Sequence, residues 1–358
     1  MSRIRIEGLR KEYRAAAALS DVALDVEPSS FTVFCGPSGA GKSVLMRLLI
    51  GLEQPSAGRI LVNGVDITRQ PPAARSIGYV PQSFALFPHM SVFDNVAYAL
   101  AQQGVPRGEI AARVDQAAGM LRIKPLLTKR PSQLSGGEKQ RAAIARGILK
   151  NAEVFILDDP LVGLDFKLRE SLMDDLKDLR AELDAAFLYV TSDSLEALMM
   201  AEQLVVMDQG RVLQSGPVEQ VYDEPTVLRS AELVGFPRCN VVAGVVEDGV
   251  CVTKLARLPV TPAAAAGEVA VMIRPEAIAL DPRAASAGEI RLVENLGAES
   301  VIYFDAAGET LVTTAPSPAV AGLDIGDRLG FALRHEAILL YDRVSGQRVG
   351  RARENVLA

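Results

Sequence analysis

One segment, Phe31-Thr-Val-Phe-Cys-Gly-Pro-Ser-Gly-Ala-Gly-Lys-Ser43, restricts this chain more than any other. An apolar strand runs into Gly36-x-x-x-x-Gly41-Lys42-Ser43, and a helical stretch, Val44 to Ile50, follows. Strand, glycine-rich turn and helix in that order make a phosphate cradle. Glycines let the backbone N–H groups turn inward as an anion nest, and the helix N-terminus adds the positive end of its dipole. Gly36, Pro37, Ser38, Gly39, Ala40, Gly41, Lys42, Ser43 and Val44 are therefore expected to hold a nucleotide. Lys42 would neutralise the β- and γ-phosphates, and the Ser43 hydroxyl would ligate Mg²⁺. An accidental glycine-rich turn is the competing explanation, and the flanking strand and helix count against it.

The chain has 358 residues, 49% of them apolar, enough for two domains with filled cores. A net charge of −6 gives no general case for a nucleic acid partner. No apolar run approaches the ~18 residues of a membrane helix, and the first residues lack the apolar core of a signal peptide. Three cysteines (Cys35, Cys239, Cys251) without metal spacing suit a reduced, cytoplasmic protein. Cys35 reads as a small buried strand residue in preference to a redox switch.

Residues 3–27 alternate in polarity and predict an antiparallel pair with Tyr13 in its turn, either a base-stacking aromatic or ordinary packing. Arg59 to Gly64 predicts a hairpin strand, and Ile77 to Val80 a short strand followed by Gln82. From Ser91 to about Lys150 the period is helical, and Leu134-Ser-Gly-Gly-Glu-Lys-Gln-Arg141 opens the last helix of that region. Val154 to Leu157 is continuously apolar, as in a parallel sheet covered on both faces, and ends in Asp158-Asp159-Pro160. A charged helix leads to the strand Phe187 to Val190, which ends in Thr191-Ser192-Asp193, and Leu204 to Met207 supplies one more strand. Beyond residues 235–240 the style changes to short strands at 241–246, 269–273, 290–293, 301–304, 329–333 and 338–341. That spacing predicts a small all-β, barrel-like domain, with Ala263–Ala266 in one of its loops.

Three strands, ending at Cys35, Leu157 and Val190, deliver polar residues at the carboxyl edge, where a parallel sheet binds ligands. Asp158 suits a Mg²⁺ partner acting through the metal's waters, the alternative being a helix cap.

The order Gly36–Ser43, Gln82, Leu134-Ser-Gly-Gly137, Ile156-Leu-Asp158 and Leu164-Asp165 resembles the ATPase subunit of an ABC transporter over residues 1–235. Residues 240–358 resemble the C-terminal OB-type domain of the carbohydrate and polyol importer branch, through Ile273-Arg-Pro-Glu276, Glu294-Asn-Leu-Gly297 and Leu340-Tyr-Asp342. The expected architecture is an α/β P-loop ATPase domain (1–235, helical signature subdomain about 88–150) and an all-β OB-like domain (236–358). The resemblance implies ATP and Mg²⁺, with Ser43, Gln82 and Asp158 at the metal and Tyr13 stacked on adenine. It implies a head-to-tail dimer in which Ser135, Gly136 and Gly137 face the partner's ATP and Asp165 lies on the crossing loop. It implies two membrane permease subunits whose coupling helices are gripped by Gln82 and Phe84-Ala-Leu-Phe87, and an extracytoplasmic solute-binding protein. The chain would then sit peripherally at the cytoplasmic face of the membrane.

Two departures bear on mechanism. The family's general base is a glutamate where this chain has Asp159, and its switch histidine is replaced by Ser192. A carboxylate ~1 Å short of its place can cost ~10²-fold in rate. Ser192 can neither span to a γ-phosphate nor offer imidazole charge. His89 and His335, the only histidines, are not obvious substitutes. Asp159, Ser192 and Gln82 make up the expected catalytic set. Val44 replaces the usual Thr, and Glu138 the frequent Gln. The expectation is a site that binds ATP but hydrolyses it weakly, paired with a different, competent ATPase subunit. A fully active homodimer and a purely regulatory subunit are the alternatives; a soluble ribosome- or DNA-acting relative is disfavoured by the single P-loop.

Overall fold

The computed structural model describes residues 4–353 apart from 15, 151, 184 and 262–265, so most of the alanine run at 263–266 lies outside the described residues. The chain divides into two compact units, Met1–Val218 and Glu219–Ala358.

In the first unit β1 (Ile4–Tyr13), β2 (Ala16–Val26), β4 (Ala57–Val62) and β5 (Val65–Asp66) form an antiparallel sheet in the order β2-β1-β4-β5. A second sheet contains β3 (Phe31–Cys35), β6 (Ile77–Val80), β7 (Val154–Asp158), β8 (Ala186–Thr191), β9 (Gln203–Asp208) and β10 (Arg211–Pro217). Its order is β10-β9-β3-β8-β7-β6; all neighbours are parallel except the β9–β10 hairpin. Every residue of β3, β7 and β8 is buried, which is why these strands read as unbroken apolar runs. Helix α1 (Lys42–Ile50) joins the two sheets, since Leu45, Leu48 and Leu49 share one core with Ile4 and Ile6 of β1 and Ile156 and Leu188 of the parallel sheet.

The predicted helical region contains α2 (Val92–Gln102), α3 (Arg107–Met120) and α4 (Gly136–Ile148). Ser91 caps α2 by accepting from the Asp94 N–H, and Ser135 caps α4 within a full capping box with Glu138. Glu138 thus serves its own helix end. Its carboxylate accepts from the Ser135 N–H at 2.7 Å and is held below the usual range chiefly by that bond. Helix α5 (Phe166–Glu182) starts at Asp165 and α6 (Ser194–Met200) at Asp193, both side-chain caps. Buried Asp175 of α5 pairs with Arg141 of α4, which also donates to Ser171 Oγ at 3.0 Å.

In the second unit all six predicted segments are strands, within two sheets of six and five strands, with a main apolar core and a smaller one around Met272 and Tyr341. Glu309–Pro316, rich in threonine, is an additional strand paired along its length with Glu299–Ala306. This unit includes residues 219–235, to which Arg274 reaches back. Its guanidinium donates to the carbonyls of Tyr222 (2.7 Å), Ala231 (3.1 Å) and Val234 (2.6 Å), and the Tyr341 hydroxyl donates to the Pro225 carbonyl.

Candidate functional site

The parallel register sets Cys35 beside Thr191 and Asp158 beside Val190, so the ends of β3, β7 and β8 form one edge. On that edge a cavity of about 470 Å³ is lined by Ser38–Val44 together with Gln82, Asp159 and Ser192. Segments far apart in sequence therefore meet at one cavity. Ala17, Ala18, Gln209 and Gly210 also line it. The motifs do not single out these four, although Gly210, just past the apolar run Leu204–Met207, marks a turn. Their proximity has a steric cause: Gly210 donates its N–H to the Ala40 carbonyl, and a Cβ on Gly210 would sit 2.6 Å from the Ala18 carbonyl.

Gly39 and Gly41 occupy left-handed backbone at φ +84° and +96°, and a Cβ on Gly41 would meet Leu19 at 2.7 Å and Ala18 at 2.8 Å. Gly41 precedes α1 without any side-chain cap, leaving the first N–H groups of the helix for an anion. The buried Lys42 ammonium donates to the carbonyls of Gly36 (2.6 Å) and Pro37 (3.0 Å), two residues that do not line the cavity. Burial lowers its proton affinity, and Asp159 and Asp158 pull it back up. A polyanion would replace those carbonyls as partner. Ser43 Oγ donates to Asp158 Oδ1 at 3.2 Å, and Tyr79 donates to the other oxygen at 3.2 Å. A hydroxyl beside a carboxylate supplies hard oxygens suited to Mg²⁺. Among the described residues no cluster of three His, Cys, Asp or Glu side chains could hold a metal.

Asp159 has left-handed backbone (φ +45°) fixed by its N–H bond to the Val190 carbonyl at 2.9 Å. Its Oδ1 is buried without a partner. Burial pushes its carboxyl up, Lys42 opposes this, and Asp158 adds to it. A backbone hydrogen bond from Ser192 also favours the charged form, so Ser192 meets Asp159 through its main chain. The Asp159 carboxylate lines the cavity with Lys42, where it could accept a proton from a water. His89 lies instead on a groove with Phe93 and Tyr98, and His335 belongs to the second unit.

Tyr13 does not line the cavity; its hydroxyl bonds Glu53 and the Lys11 ammonium lies 4.9 Å from its ring centre. Ser135, Gly136 and Gly137 are likewise outside it. The two glycines differ in purpose. A Cβ on Gly136 would meet nothing within 4 Å, whereas one on Gly137 would sit 2.2 Å from Leu168 of α5. Cys35 is an inert thiol, 1% exposed and pushed up to about 11 by burial.

A family model described as ABC transporter matches residues 19–162, and a TOBE domain model matches residues 271–340. The sn-glycerol-3-phosphate import ATP-binding protein UgpC 1 of Rhizobium johnstonii is 36% identical over 97% of this chain and 96% of its own. The molybdate/tungstate import ATP-binding protein WtpC of Thermococcus kodakarensis is 41% identical over 77% of this chain and 83% of its own. Among solved structures, the dimeric ATP-binding cassette MJ0796 in a post-hydrolysis state with ADP and Pi superimposes with a TM-score of 0.55. It is 27% identical and covers 60% of this chain and 98% of its own. Lys42, Ser43 and Asp158 fit the ATP and Mg²⁺ that such cassettes use. With near-full-length relatives at this level of identity, the chain belongs to the ATP-binding subunits of ABC importers and carries a C-terminal TOBE domain.

Proposed function

We propose that this chain powers uptake of a small phosphorylated polyol such as sn-glycerol 3-phosphate, with Asp159 holding the attacking water in its ATP site. The observation that carries the catalytic part is that Asp159 lines the same cavity as Lys42 and Gln82. The cargo rests on the names of several near-full-length relatives, each an sn-glycerol-3-phosphate import ATP-binding protein. Gln82 senses the γ-phosphate and metal, and Ser135 and Gly136 of a second copy close the site. The groove of about 700 Å³ lined by His89, Met90, Phe93, Tyr98 and Ile110 suits an apolar coupling helix of a permease subunit. A solute-binding protein outside the membrane delivers the cargo. No described helix is long and apolar enough to cross a membrane, so attachment runs through the permease.

A second reading is favoured by Ser192, whose side chain is too short to replace an imidazole at the γ-phosphate. In it, this site is slow and the chain's Ser135 serves a different ATPase subunit. Steady-state hydrolysis by the purified chain separates the two. Turnover above about 1 s⁻¹ that vanishes in Asp159→Asn supports the first. Stoichiometric ATP binding with negligible turnover, restored only by a second ATPase chain, supports the second and sinks the first. Uptake of labelled sn-glycerol 3-phosphate, with molybdate as competitor, tests the cargo.

A further inference from the structure

Gln82 is exposed at the nucleotide cavity, yet the residues just after it are fastened to the helical region at two points. Arg146, in the last turn of α4, donates from Nη1 to the Ala85 carbonyl at 2.6 Å and from Nη2 to the Phe84 carbonyl at 2.8 Å. Its guanidinium also lies 5.7 Å from the Phe87 ring centre. Phe84 and Ala85 sit at φ +60° and +48°, consecutive left-handed residues that L side chains disfavour without outside support. Fully buried Asn95 of α2 holds the next step. Its Oδ1 accepts from the Phe87 N–H at 2.7 Å and its Nδ2 donates to the Phe87 carbonyl at 3.1 Å. Helix α4 is a rigid rod about 20 Å long, and its other end is capped by Ser135.

We propose that Arg146 is a positioning residue that latches the Gln82 loop to the signature helix, so that a shift of α4 at Ser135 is delivered to Gln82. A fork on two adjacent carbonyls fixes the orientation of the loop as well as its distance, which a single point charge cannot do. One rigid element then connects the face offered to a second subunit with the residue beside this chain's own Lys42 and Ser43. The proposal rests on the reading of Gln82 as a nucleotide sensor.

Amide hydrogen exchange of the full chain, with and without Mg²⁺-ATP, tests it. In the wild type, ATP slows exchange over residues 82–87. In Arg146→Ala those amides exchange on the order of 100-fold faster, the loss of two charge-assisted bonds, and no longer respond to ATP. The amides of 36–43 keep their ATP protection. Arg146→Lys, which reaches one carbonyl at a time, falls between the two. An Ala variant whose 82–87 amides still respond like wild type overturns the latch. So does a loss of protection spread equally over β7 and α4 in both variants, which marks a merely structural role. Gln82→Ala is run in parallel on ATP turnover. If it changes nothing, the sensor reading falls and the coupling with it; if it slows turnover while 82–87 respond normally in Arg146→Ala, only the coupling falls.

Discussion

Ser43 Oγ donates to Asp158 Oδ1 across 3.2 Å, tying the first turn of α1 to the end of β7. These residues are 115 positions apart in sequence. The pair exists because β7 lies two strands from β3 in the sheet, with only β8 between them.

That pair predicts a metal-specific defect. Ser43→Ala and Asp158→Asn should each reduce the Mg²⁺-dependent part of ATP affinity by about 10–100-fold. Affinity measured in EDTA should change little, because Lys42 and the loop amides still meet the phosphates. Titration calorimetry with and without Mg²⁺ checks this, and an equal loss in both conditions would refute the metal assignment.

Asp159 predicts opposite effects on stability and activity. Burial holds its carboxyl above the ordinary range despite Lys42, with Asp158 adding to the rise. Between the unfolded value, about 3.9, and the raised folded value, the native state binds more protons than the unfolded one. Stability therefore falls as pH rises through that window, and the loss is complete above it. Asp159→Asn should raise the melting temperature at pH 8, by an increment that shrinks as pH falls toward 4. It should also abolish turnover, whereas Asp159→Glu should keep it. Melting curves across pH, beside phosphate release, measure both.

The signature glycines should separate cleanly. Gly136→Ala meets open space and should leave the melting temperature unchanged while impairing hydrolysis that requires a second subunit. Gly137→Ala forces Leu168 aside and should destabilise the chain by about 1–3 kcal/mol. A stability loss in Gly136→Ala would contradict its role as an open face.

Arg274 predicts that 222–235 unravels from the second unit when its fork is removed. The guanidinium satisfies three carbonyls and lies 4.0 Å from the Tyr222 ring centre. Arg274→Ala leaves those acceptors stranded, at about 1–3 kcal/mol for each that stays buried. Exchange at residues 222–235 should quicken, while exchange in β3 and β8 of the first unit stays as in wild type.

The P-loop, the buried strands at 154–157 and 187–190 and the helix starts at Ser91 and Ser135 are legible because each depends on neighbours along the chain. A strand covered on both faces must be apolar throughout, and a cap needs one polar oxygen a few residues before the amide it accepts from. β10 and Glu309–Pro316 leave little trace in the sequence because half-exposed or threonine-rich strands carry a weak apolar signal. The Asp159 and Ser192 departures were visible as residue types, but not that Ser192 meets Asp159 through its backbone, or that one Asp159 oxygen is left over.

By itself, then, the sequence determined the phosphate cradle, the parallel sheet that carries it and the family to which the chain belongs. These follow from chemistry written within a few residues of itself. Tertiary structure alone decided that the Gln209-Gly210 turn walls the cavity, that Tyr13 stands outside it and that Arg146 holds the loop after Gln82. Such meetings depend on sheet order and helix packing, which bring together residues that share no local pattern.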